Sequence, residues 1–211
     1  PDETNPYYTA DEGPVAVPGK YFVKLDKVYN GAVQNLVEKT AFTISTLDQS
    51  TLPLPDRQKL MVYNKELSEF RRVVLGTADY FGLLNEKIKY LKKGVLNGNV
   101  NAVSLLADIN TYETKKKSVE IALNGDASLA KREFETLPGF VGALEGIVSG
   151  SWSNSMGATQ TMTDKFVKLK VEFKPIYNSI VELKTLVESI EQKAENLKIP
   201  STYGRLPILE K

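Results

Sequence analysis

The chain has 211 residues, with 27 basic against 26 acidic side chains and neither cysteine nor histidine. That length suffices for one domain with a sizeable core, and a net charge of +1 gives no general attraction to nucleic acid or anionic lipid. The missing residue types exclude disulfides, Ser-His-Asp and Cys-His catalysis, histidine-ligated haem and every thiolate metal site.

Residues 1–19 carry four prolines, Pro1, Pro6, Pro14 and Pro18. Proline fixes φ and removes a donor, so an extended N-terminal arm is expected, pinned by Tyr7 and Tyr8. The start at Pro1 without an initiator methionine reads as a processed or trimmed product. With the lack of cysteine, it leans the expected location toward extracytoplasmic, whether periplasmic, surface or secreted, and leaves the cytoplasm open.

Residues 20–47 admit two readings. Phe22, Leu25, Tyr29, Ala32 and Leu36 follow a helical stripe, continued by Val33, Val37, Ile44 and Leu47. Against it, Tyr21, Val23 and Leu25 alternate, Phe42 and Ile44 alternate again, and Asn30-Gly31 is a strong hairpin turn. Helix is the expectation, with hairpin as its rival. Pro53 and Pro55 then turn the chain.

A second helix is predicted from about Asp56, its N-cap, to Lys93. Leu60, Tyr63, Leu67, Phe70, Val74, Thr77, Phe81, Leu84, Ile88 and Leu91 fall in 3-4 spacing on one stripe. Gly76 and Gly82 inside it read as close approaches of a neighbouring helix, or else a hinge. A third helix spans about Val100 to Leu123, with Lys116 snorkelling at the edge of its seam. A short one follows over about Ala127 to Thr136, after the Asn124-Gly125-Asp126 stop.

Residues 139–158 read GFVGALEGIVSGSWSNSMGA, with one formal charge, Glu145. In composition this segment resembles viral fusion peptides and the hydrophobic tongues of helical-bundle pore-forming toxins. That resemblance implies membrane insertion. Core packing is the leading expectation: glycines at 139, 142, 146 and 150 would let a helix approach while Phe140, Leu144 and Ile147 fill core and Trp152 caps its end. Phe140, Val141, Leu144, Ile147, Val148 and Trp152 are the candidate membrane or partner contacts.

The last helix runs from about Thr159 to Lys198. Phe166, Leu169, Phe173, Ile176, Ile180, Leu183, Val187, Ile190, Ala194 and Leu197 form its stripe. Pro175 either kinks this rod or divides it. No apolar run reaches the roughly 18 residues of a membrane-spanning helix.

The expected fold is therefore all-α, an elongated up-and-down bundle of about four long helices with one or two short extra ones, the two longest packing near-antiparallel. Residues 1–19 form the arm, 20–198 the bundle domain and 199–211 the tail. The acids fall off both seams, and several have a base three or four residues away, such as Glu69 with Arg72 and Lys184 with Glu188. Glu66 and Glu182 have none. No catalytic residue, cofactor or metal ligand is therefore expected, although carboxylate-only chemistry is allowed. The expected function is non-enzymatic: a helical-bundle binding or structural protein acting through protein–protein contacts. The alternative is a membrane-active bundle using 139–158. The expected partner is another protein and not nucleic acid, with membrane contact and oligomerisation left open.

Overall fold

Asn30 and Gly31 both adopt positive φ, 49° and 79°. Two successive left-handed residues make a type I′ turn, whose twist matches that of antiparallel strands. The chain on either side pairs accordingly: β1 is Gly19–Tyr29 and β2 is Ala32–Ile44. The all-α expectation is thus corrected. Residues 20–44 are a hairpin, because the turn pair and the β-branched and aromatic alternation outweigh an irregular helical stripe that glycine interrupts.

The computed structural model describes residues 13–45, 56–98, 102–132, 135–153, 157–200 and 202–205, with the backbone alone of Arg57. Tyr7, Tyr8, Pro53, Pro55 and the apolar tail residues Leu206, Ile208 and Leu209 lie outside them. Five helices follow the hairpin: α1 Arg57–Asn97, α2 Val103–Asn124, α3 Ala127–Ala130, α4 Phe140–Trp152 and α5 Gln160–Asn196. The chain divides into two compact units, residues 1–66 with 149–159 and residues 67–148 with 160–211.

α1 starts where predicted. The Asp56 carboxylate accepts from the backbone N–H groups of Gln58 and Lys59 at 3.1 and 3.2 Å. These bonds, that from Lys59 foremost, hold its pKa below the usual carboxylate value. At 41 residues the helix is about 60 Å long. Every residue of its predicted stripe is buried or half-buried, and so is every residue of the α5 stripe. Pro175 lies inside a single α5, which does not divide. Val171, whose carbonyl loses its helical donor there, is exposed, as is Pro175 itself, so water can satisfy the freed group.

In the second unit, α1 and α5 run parallel. Phe70 meets Phe166 and Phe173 edge-on, at centroid distances of 5.6 and 5.7 Å, and further along Lys87 pairs with Glu191 at 3.0 Å. Sequence number rises together on both helices, which corrects the expected antiparallel seam. α2 is antiparallel to α5: Asp108 pairs with Lys193 at 2.6 Å, and Lys115 with Glu182 at 3.1 Å. The main core joins Phe81, Leu84 and Ile88 of α1, Leu105, Ile109 and Tyr112 of α2, and Leu183, Val187 and Ile190 of α5.

α2 is too short to cover both long helices throughout, and α4 takes over where it ends. Gly139, just before α4, lies directly against the backbone of Asn124 and Gly125, where any Cβ would overlap. Phe140 then packs on Phe70 and Phe173, and Glu145 pairs with Arg71 at 2.8 Å. α3 is a single turn, shorter than the helix predicted to Thr136. Asp126 caps it by accepting from the Ser128 hydroxyl and backbone N–H, which lowers the pKa of its carboxyl.

Candidate interaction surface

The six residues selected from the apolar segment are divided by the structure. Phe140, Leu144, Ile147 and Val148 are buried, Leu144 completely, while Val141 is half-buried against the main core and Trp152 is half-buried. Of Gly139, Gly142 and Gly146, which were expected to admit a helix, only Gly139 meets a close neighbouring backbone, and it precedes α4. Gly142 and Gly146 are exposed, and a Cβ at Gly146 would meet nothing. The same holds for Gly76 and Gly82 on α1, so close approach does not account for them. The apolar content of the segment is therefore chiefly core, as its helical spacing suggested.

A row of exposed apolar side chains lies on the hairpin. Strand side chains alternate between faces. One face carries Tyr21, Val23 and Leu25 of β1 with Val37, Phe42 and Ile44 of β2, and Tyr21 stacks on Phe42 at 5.9 Å. The Tyr21 hydroxyl donates to the Val17 carbonyl at 2.6 Å and ties the entering chain to the strand. The opposite face is mixed, with Phe22, Val28 and Val33 exposed among charged and amide side chains. Lys24 pairs with Asp26 at 2.8 Å, Asn35 donates to Glu38 at 2.7 Å, and the ammonium groups of Lys20 and Lys39 flank the Phe22 ring.

An amphipathic sheet normally buries its apolar face. Here Val23, Leu25, Val37 and Phe42 remain 56%, 54%, 47% and 47% exposed. This is a contiguous row, unlike the single exposed apolar residues common on any surface. Two strands alone are marginally stable in water, and a third strand or a packed layer is what stabilises such an element.

β1 and β2 also differ along their length. From the Val23–Thr40 pair to the Leu25–Val37 pair, β1 advances two residues and β2 three. From there to the Asp26–Asn35 pair, β1 advances one and β2 two. Both bulges thus lie on β2, which they bend and twist, while β1 continues without insertion.

The rest of the described surface offers weaker chemistry. A groove of about 670 Å³ runs beside α1 and α5, lined by Val73, Gly76, Thr77, Tyr80, Tyr177 and Val181. Another of about 370 Å³ is lined by Lys89, Lys92, Lys93 and Lys116 together with Glu86 and Glu113, which offset their charge. Lys116 sits between Glu113 and Glu120 at 3.6 and 3.5 Å, in keeping with its reading as an edge residue. Among the described residues, no three aspartate or glutamate side chains converge as a metal site requires, and no helix is long and apolar enough to cross a membrane.

No family model, curated protein or solved structure matches the chain.

Proposed function

We propose that this is a non-enzymatic binding protein whose contact element is the β-hairpin, and that its partner is another protein presenting a β-sheet. The observation that carries this reading is the uncovered apolar row from Tyr21 to Leu25 and Val37 to Ile44 on an element of only two strands. Stacking a second sheet on that row removes it from water at a gain of about 25 cal/mol per Å² of apolar area. The lysine-bearing opposite face stays solvated.

Two physical arguments favour protein over lipid. A lone hairpin leaves the outer N–H and C=O groups of both strands unpaired, and hydrocarbon supplies neither donors nor acceptors for them. Insertion through 139–158 would first have to withdraw Phe140, Leu144, Ile147 and Val148 from the core, forfeiting about 1.5–3 kcal/mol for each side chain.

The test places a benzophenone amino acid at position 23, on the face of Tyr21 and Phe42, or at position 28, on the opposite face, and irradiates the intact protein in native extract. A discrete protein adduct from position 23, absent from position 28, is the expected result. Equal adducts from both positions, or none together with co-sedimentation on phosphatidylcholine–phosphatidylglycerol vesicles, would overturn the proposal.

A further inference from the structure

Resting on that reading, we infer that the partner's strand pairs with the outer edge of β1, and that this strand is acidic on its polar face.

Two independent asymmetries point to β1. The first is regularity. Both register shifts insert residues into β2, and bulges twist an edge away from regular pairing, whereas β1 presents an uninterrupted ladder from Gly19 to Tyr29. The second is charge. β1 carries Lys20 and Lys24 on one face, where Asp26 pairs with Lys24, and Lys27 on the other, while β2 carries one charge of each sign, Glu38 and Lys39. Cross-strand neighbours of opposite charge stabilise a sheet and like charges destabilise it. A strand with glutamate or aspartate on the face of Lys20 and Lys24 is therefore complementary to β1.

The same lysines disfavour a second copy as occupant. Lysine side chains along an exposed edge are a device that discourages edge-to-edge association. The arrangement is strand addition, in which main-chain hydrogen bonds supply affinity and alternate side chains supply specificity. The added strand would also extend the apolar face, since its inward side chains continue the row of Tyr21, Val23 and Leu25.

The probe is a synthetic peptide as long as β1 that alternates valine and glutamate, compared with one alternating valine and lysine. Hydrogen–deuterium exchange of the full chain is followed by mass spectrometry. The glutamate peptide should slow exchange across residues 19–29 by about tenfold or more and leave 32–44 little changed. In the Lys20→Glu, Lys24→Glu variant the preference should invert toward the lysine peptide, a gain that an unfolded hairpin would not show. Protection on β2, or peptide binding indifferent to the charge reversal, would overturn the inference. So would sedimentation showing a dimer whose β1 is protected without peptide. Face adducts from position 23 combined with an unprotected β1 would sink the edge assignment and leave the function standing; loss of both would sink the two together.

Discussion

Tyr112 is the largest fully buried side chain among the described residues, and its hydroxyl donates to the Asn85 side-chain oxygen at 2.7 Å. Burial pushes the phenol pKa up, reinforced by the negative charges of Glu113 and Glu120. The folded state therefore holds this proton where the unfolded chain, with an ordinary pKa of about 10, has released it. Its contribution is fully present below about pH 10 and is lost as pH rises beyond it. Denaturant titrations at pH 7 and about pH 11 should show the wild type losing more stability than Tyr112→Phe, which costs about 1 kcal/mol at neutral pH. Equal losses would refute the assignment. At this scale the sequence was partly legible. Neighbours in helical spacing were foreseeable, and Glu69–Arg72, Lys168–Glu172 and Lys184–Glu188 all form. Glu182, which lacks a local base, pairs with Lys115, a partner 67 residues distant that only helix packing supplies.

Among elements, α1 and α5 were readable because a long, almost wholly apolar stripe repeats at the helical period in each, and a long repeat averages out local ambiguity. The segment 20–44 was not, since its apolar residues satisfy two periods over a short span and the decision fell to one dipeptide, Asn30-Gly31. In 139–158 the choice between core and contact surface stayed open for a different reason. Low charge and many glycines mark core and membrane segments alike, and what distinguishes them is what lies opposite. Gly76 and Gly82 carry a prediction of their own. Nothing lies within 4 Å of a Cβ at either position, and both sit inside α1 without positive φ. Gly76→Ala and Gly82→Ala together should raise stability by about 1–2 kcal/mol, read as a higher thermal midpoint. A lower midpoint would mean that the positions need glycine for contacts this chain does not itself make.

The parallel course of α1 and α5 is a property of the whole helical unit. It follows from α2 and α4 sharing the task of covering two longer helices, so that the chain returns to its starting direction by α5. The chain has no cysteine, so introduced thiols report without background. A short bismaleimide should link Lys87→Cys with Glu191→Cys readily, and Lys87→Cys with Lys168→Cys hardly at all; the reverse yields would restore the antiparallel order.

Composition and periodicity by themselves determined the excluded chemistries, the two long apolar stripes and the Asp56 cap, and left open whether Pro175 kinks or divides the last helix. Those features depend on residue type and on neighbours within a turn or two of helix. Tertiary structure alone decided that a face of the hairpin is left uncovered, that Phe140, Leu144, Ile147 and Val148 of the glycine-rich segment are buried, and that the long helices run side by side in the same direction. Each of these depends on groups far apart in the chain. The hydrophobic effect fixes how much apolar surface must be covered but carries no information about which segment covers it.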